Sequence, residues 1–248
     1  GDETRRQKDC RMTPFDQARR AGWIHDLVRR IQRKPADLVP FDEVRSALLL
    51  EPAGRDRMGE VRLDDIVGSC GRQRDFNRLF FPRGGTRRGR WISILKLAMS
   101  STGFPPVHLF QVDDIYFVDD GHHRVSVARA LGSPSIEAWI TEFRSPVGLT
   151  RNDSLHEIVL RASHAEFIRA LGIDRSEADD LHLSDPASYG RLFDHISVHR
   201  YYRGLETKRH VDWKEAFASW KQSVFEPRVA SIHAEKGRTL ADAYLLLD

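Results

Sequence analysis

One stretch constrains this chain more than any other: Ile115-Tyr116-Phe117-Val118-Asp119-Asp120-Gly121-His122-His123-Arg124-Val125-Ser126-Val127-Ala128-Arg129-Ala130-Leu131-Gly132. The apolar run reads as a strand, Asp119-Asp120-Gly121 as a tight turn, and His122 to Leu131 as a helix stopped by Gly132. A strand that passes straight into a helix leaves the first-turn N–H groups without intrahelical acceptors. It also sets the positive end of the helix dipole at the turn, which is a ready site for an oxyanion. Gly121 lets an anion approach the backbone because it has no Cβ. Asp120, Gly121, His122, His123 and Arg124 are therefore candidate phosphate-binding residues. The structural alternative is a helix entry capped by Asp119 or Asp120, with the histidines hydrogen-bonded inside the fold.

Asp119, Asp120, His122 and His123 are also metal-ligand types. Adjacent histidines at a helix start do not converge well on one ion, and no HExxH spacing is present, so no permanent metal is expected. Mg²⁺ delivered with a nucleotide is the metal this turn anticipates, because that ion commonly uses one or two carboxylates plus substrate phosphates.

The charge distribution points the same way. Residues 1–100 hold 22 Lys and Arg against 14 Asp and Glu, whereas the remainder holds 17 against 22. Arg72, Arg74, Arg78, Arg83, Arg87, Arg88 and Arg90 share their stretch with one acid, Asp75. Guanidinium forks suit phosphate oxygens, so a nucleotide or a nucleic acid is the partner class anticipated, against a solvated basic loop. Gly84-Gly85 reads as part of a flap that orders on binding. Phe76, Phe80 and Phe81 are expected in the core by burial tendency, with stacking on a base as the alternative.

The 248 residues allow one large or two small domains, with enough chain to bury a core. No apolar run is long enough to span a bilayer, and Gly1 to Arg6 carry no signal-like apolar region, so no membrane partner and a cytoplasmic location are expected. Cys10 and Cys70 form no ligand or disulfide pattern. The pattern divides into an N-terminal helical segment over 1–55, a mixed α+β domain over 56–146, and a helical region over 147–248. In the first segment, Phe15, Ala18, Ile24, Leu27, Val28 and Ile31 recur near the helical period, with a second helix from Phe41 to about Leu50. In the middle block, strands are expected at Val61–Leu63, 107–112, 115–118 and 136–143, with a helix around Trp91 to Ala98. In the last, Asp153 or Ser154, Asp212 and Thr239 are candidate helix caps, the last two for helices reaching about Phe225 and Leu247. Pro227 begins or kinks a further element, and Trp213, Phe217 and Trp220 mark a buried helix face. His195 to Arg203 mixes aromatic and basic side chains, but no helix-turn-helix pattern is evident.

The block from about Glu60 to Phe143 resembles the ParB/sulfiredoxin superfamily, in particular its ParB N-terminal-like domain. The resemblance rests on the order of its parts: Val61-Arg62-Leu63-Asp64-Asp65-Ile66, a variable loop, a helix, Pro105-Pro106-Val107, then strand, turn, strand and the Gly121-His122-His123-Arg124 entry. It implies an α+β, ParB/sulfiredoxin-like mixed-sheet domain flanked by N-terminal helices and a C-terminal helical region. It also implies a nucleotide- or phosphate-ligand-binding protein, with CTP, ATP or ADP as the ligand and NTP hydrolysis or phosphotransfer as the activity to look for. In sulfiredoxins the position of His122 is a Cys, so their thiolate chemistry is not expected here. In ParB proteins the turn is Gly-Glu-Arg-Arg, of which Gly121 and Arg124 remain. Free-serine kinases of the superfamily have an Asp-Gly-His turn and an acidic base near the first strand, a role open to Glu60, Asp64 or Asp65. The resemblance further places Arg72, Arg74 and Arg78 among the phosphate or DNA contacts. Glu60, Asp65 and His122 are thus the catalytic candidates. The alternative is a non-catalytic DNA-binding regulator of transcription or partition, and a homodimer is a further expectation.

Overall fold

The computed structural model describes residues 12–101, 103–230 and 239–247. The chain forms two compact units, 1–155 and 156–248. In the first, α1 (Pro14–Ile31), β1 (Val39–Pro40), α2 (Phe41–Leu48), β2 (Arg57–Arg62), β3 (Ile66–Ser69), α3 (Arg88–Ala98), β4 (Val107–Val112), β5 (Ile115–Asp120), α4 (His122–Ala130) and β6 (Ser135–Phe143) follow in order. A 3-10 turn over Leu63–Asp65 links β2 to β3.

The six strands make one mixed sheet in the order β1-β3-β5-β4-β6-β2. β1, β3 and β5 run parallel, β4 is antiparallel to β5 and parallel to β6, and β2 closes the far edge antiparallel to β6. The 56–146 block therefore does not stand alone. β1 belongs to its sheet, so the expected separate segment over 1–55 is corrected to a part of the first unit. β3 is only four residues long and buried throughout. That is why its sequence lacks the alternation that marks a half-exposed strand. A register shift falls between Ile66 and Gly68. A Cβ on Gly68 would lie 2.2 Å from the Phe117 ring and 2.4 Å from the Val39 carbonyl, so only glycine fits there.

Helix α1 begins at an N-cap threonine followed by proline at its first position, Thr13-Pro14, with the Thr13 hydroxyl accepting from the Asp16 N–H. Its burial corrects the apolar pattern. Phe15 and Ala18 face inward against Trp91 and Leu95 and Gly22 against Phe81 and Asn77, whereas Ile24, Leu27, Val28 and Ile31 are exposed. The sheet core is built from Val61, Leu63, Ile66, Val107, Leu109, Val118, Val125 and their neighbours, with Phe76 and Phe80 fully buried among them.

The second unit is helical: α5 (Leu155–Leu171), α6 (Ser188–Thr207), α7 (Trp213–Trp220), a π-helical turn over Lys221–Phe225, α8 (Glu226–Val229) and α9 (Leu240–Tyr244). Asp212 caps α7 and Thr239 caps α9 as their sequences indicate, although α7 passes into the π turn at Lys221 and α9 stops at Tyr244. Phe217, Trp220, Phe225 and Tyr244 pack with Leu192 and Ile196 as its core.

Candidate functional site

The parallel pair β3–β5 sets Ser69 beside Val118, so both strands end at the same edge of the sheet. From that edge β5 turns through Gly121, at φ 100°, directly into α4. Glycine is needed here twice over: for its left-handed backbone, and because a Cβ would come within 2.5 Å of the Val107 side chain. No side chain caps α4, so the alternative of a cap by Asp119 or Asp120 is not formed. The first helical hydrogen bond runs from the Val125 N–H to the Gly121 carbonyl. The amides of His122, His123 and Arg124 precede it and carry the positive end of the dipole.

A cavity of about 50 Å³ opens on this turn, bounded by Asp120 to Arg124, by Arg72 from the loop after β3, and by Arg90 and Ile94 from α3. Helix α3 is fixed against α4 by a buried 2.9 Å hydrogen bond from the Trp91 Nε1–H to the Ser126 hydroxyl. His122 is buried and shares a 2.7 Å hydrogen bond, through its Nε2, with the Ser69 hydroxyl. Burial and then the nearby Arg72 push its pKa down to about 4. His123 is 6% exposed, and neither of its ring nitrogens has a hydrogen-bond partner. Burial, then Arg90 and Arg72, lower its pKa to about 4 as well. Two neutral imidazoles thus sit in a positive field at an uncapped helix start.

Arg124 is used differently from the expectation. Its guanidinium donates to the carbonyls of Pro105 and Pro106 at 2.9 and 2.6 Å and to the Asp120 carboxylate at 2.5 Å. It braces the turn, and an incoming anion would have to compete with Asp120 for it.

The arginine-rich stretch is a folded loop rather than a flap. Asn77, fully buried, donates to the Gly22 carbonyl and the Asp26 carboxylate and accepts from the Leu79 and Phe81 amides. Arg83 pairs with Asp26 and Asp37, and Arg88 with Asp16. Arg78 is buried, with its guanidinium on the carbonyls of Asp37, Arg151 and Asp153, which removes it from the phosphate-binding set. Arg74 is exposed and does not line the cavity. Arg72 does, while holding Asp75 at 3.2 Å. Phe76 and Phe80 are core residues, so base stacking is excluded for both.

Sheet order explains why the acidic base candidates are elsewhere. Glu60 lies on the edge strand β2, with β6 and β4 between it and β5, and accepts from the Ser135 hydroxyl. Asp65 precedes β3, at the opposite end of that strand from Ser69, near Arg62 and Arg151. Neither lines the cavity beside His122, so both are corrected as partners of that residue. Asp64 is bound to Arg129 at 2.6 Å. The Cys70 thiol is pushed up to about 12 by burial and by Asp119 and Asp42, so it stays protonated. Cys10 lies outside the described residues. Among the described residues no group of three or more His, Cys, Asp or Glu side chains is placed to hold a metal ion.

Arg90, expected only as one of the arginines of its stretch, and Ile94 line the cavity without being singled out by the sequence, and Ser69 bonds His122 but does not line it. Arg90 and Ile94 stand one helical turn apart, each next to a buried position, Trp91 and Leu95. That spacing was the available signal.

No protein-family model and no curated protein matches the chain. Among solved structures, sulfiredoxin from Arabidopsis thaliana is similar over 36% of this chain and 88% of its own, at 18% identity and a TM-score of 0.29. A likeness of that extent carries no argument about ligand or activity. Among the described residues no helix is long and apolar enough to cross a membrane.

Proposed function

We propose that the chain is a ParB/sulfiredoxin-like protein that binds a phosphate-bearing ligand, a nucleotide such as CTP, ATP or ADP or a smaller phosphate compound, at the start of α4. One observation carries the reading. His123 is buried at an uncapped helix N-terminus with both ring nitrogens unpartnered, between Arg72 and Arg90. A buried polar group without a partner costs about 1–3 kcal/mol, and an oxyanion accepting from the ring N–H would relieve that cost. The first-turn amides supply further donors, and the two guanidinium groups balance the charge. A space of about 50 Å³ suits one tetrahedral oxyanion, so the sugar and base of a nucleotide would lie outside it. Asp120 is the carboxylate on this cavity and would be a ligand to Mg²⁺ arriving with a nucleotide. That ion would offset phosphate charge. The reading is one of binding, because Glu60 and Asp65 are remote and His122 is held by Ser69.

Calorimetric titration with inorganic phosphate, pyrophosphate, CTP, ATP and ADP, with and without Mg²⁺, tests it. Saturable binding that weakens about tenfold or more in Arg90→Ala is expected, the loss of one charge-assisted contact. Absence of binding to every one of these compounds sinks the reading. Binding to duplex DNA instead, with a steep salt dependence, would transfer the arginines to a regulator's role.

A further inference from the structure

Helix α6 of the second unit has two apolar faces. One packs in the core through Tyr189, Leu192 and Ile196. On the other, Val198, Tyr201 and Leu205 are 57%, 64% and 58% exposed. They belong to a longer seam, because Asp194, Val198, Tyr201 and Leu205 succeed one another at alternating steps of four and three, and Lys208, the left-handed residue that closes α6, follows three further on. This is the spacing by which one helix faces another along its length. Beside the seam, Gly190, Ser197 and Gly204 recur every seventh residue. Ser197, Tyr201, Gly204 and Leu205, with Arg200 and Val211, border a groove of about 420 Å³. The seam has an acid near one end and a base at the other. Asp194 and Lys208 are exposed, and neither has an ion-pair partner among the described residues.

We propose that a second copy of this chain docks here, α6 against α6, antiparallel about a two-fold axis at Tyr201. In that register Asp194 faces Lys208 of the second copy, Val198 faces Gly204, Leu205 faces Ser197, and Tyr201 meets its counterpart. Acid meets base at both ends, and each large side chain enters the groove left by a small one. An isologous contact of this kind closes on itself and needs no third copy. A parallel pairing would set Asp194 on Asp194 and Lys208 on Lys208. Helix α1 also exposes apolar side chains, Trp23, Ile24, Leu27 and Ile31. The two acids of α1, Asp16 and Asp26, are already paired with Arg88 and Arg83, so α1 has no free acid to set opposite a base of a second copy, and charge selects α6 as the self-complementary face.

The test uses the full chain. Sedimentation velocity over a concentration series should show a monomer–dimer equilibrium. Asp194→Lys and Lys208→Asp should each raise the dimer Kd about tenfold, through two like-charge contacts per dimer, and the double reversal should restore it. In a Cys10→Ser/Cys70→Ser background, Tyr201→Cys should give a disulfide-linked dimer under mild oxidation, whereas Glu206→Cys, off the seam, should not. A chain monomeric throughout the series overturns the proposal. So do a double reversal that fails to recover the dimer, equal cross-linking at Glu206→Cys, and a dimer lost with Leu27→Glu but kept with Leu205→Glu.

Discussion

Ser69 Oγ and His122 Nε2 lie 2.7 Å apart, both buried, and join the last residue of β3 to the first residue of α4. The bond fixes one imidazole nitrogen of a residue that lines the candidate site and ties the helix start to the sheet. Ser69→Ala leaves that nitrogen buried without a partner, a cost of about 1–3 kcal/mol. Denaturant titration should show a lower midpoint at unchanged slope. An unchanged midpoint would mean that the bond contributes nothing to the fold.

Acid should loosen the same corner. His122 and His123 have folded-state pKa values of about 4, below the 6.5 of the free side chain. Between those values the unfolded chain binds more protons than the folded one, so stability rises with pH across that window. The contribution is complete above pH 6.5 and is lost as pH falls toward 4, by on the order of 2 kcal/mol for each imidazole. Unfolding free energies measured from pH 7.5 down to 4.5 should fall accordingly. His123→Leu should flatten the slope and, by removing two unpartnered nitrogens, raise the melting temperature while weakening phosphate binding. A steeper slope in that variant would contradict the assignment.

Two arginines of one loop should respond in opposite ways. Arg78 is buried and serves carbonyl oxygens of Asp37, Arg151 and Asp153, so Arg78→Ala should cost about 2–4 kcal/mol of stability. Its phosphate affinity, measured where the variant is still folded, should be unchanged. Arg90 is exposed on the cavity, so Arg90→Ala should leave the melting temperature within a degree or two and lower affinity. If Arg78→Ala loses affinity at full stability, the two arginines do not divide structure and binding between them.

That contrast marks the limit of what the sequence makes legible. The turn from β5 into α4 is readable because strand, glycine and helix signals follow one another within a few residues, and local chemistry decides all three. The caps at Thr13, Asp212 and Thr239 are legible for the same reason. Arg78 is not, since a run of arginines looks alike until distant carbonyls, here of Arg151 and Asp153, are brought to one of them. Ile24, Leu27 and Ile31 have the helical period of a core face, yet the buried face is that of Phe15, Ala18 and Gly22. Periodicity shows that a helix has an apolar stripe; it does not say whether that stripe meets this chain or another. Glu60 and Asp65 are close in sequence to Ser69, yet sheet order puts Glu60 on the far edge strand and the length of β3 separates Asp65 from Ser69.

Gly121 offers the sharpest test of the turn. Its φ of 100° is strained for any L side chain, and an added Cβ would stand 2.5 Å from Val107 Cγ1 and 2.9 Å from Val107 Cβ. Gly121→Ala therefore combines a backbone cost of about 1–3 kcal/mol with a packing clash. Val107→Ala removes the nearer atom of the clash and leaves a small cavity of its own, about 1–2 kcal/mol from two lost methyl groups. The double variant should be more stable than the sum of the two single changes predicts, by an interaction of about 1 kcal/mol, because the new methyl occupies space that Val107 has vacated. It should still fall short of the wild type, since the backbone strain at φ 100° persists whatever residue 107 is. Chemical denaturation of all four proteins closes the cycle. Strict additivity would mean that the two residues do not touch, and full recovery would mean that the left-handed turn costs nothing.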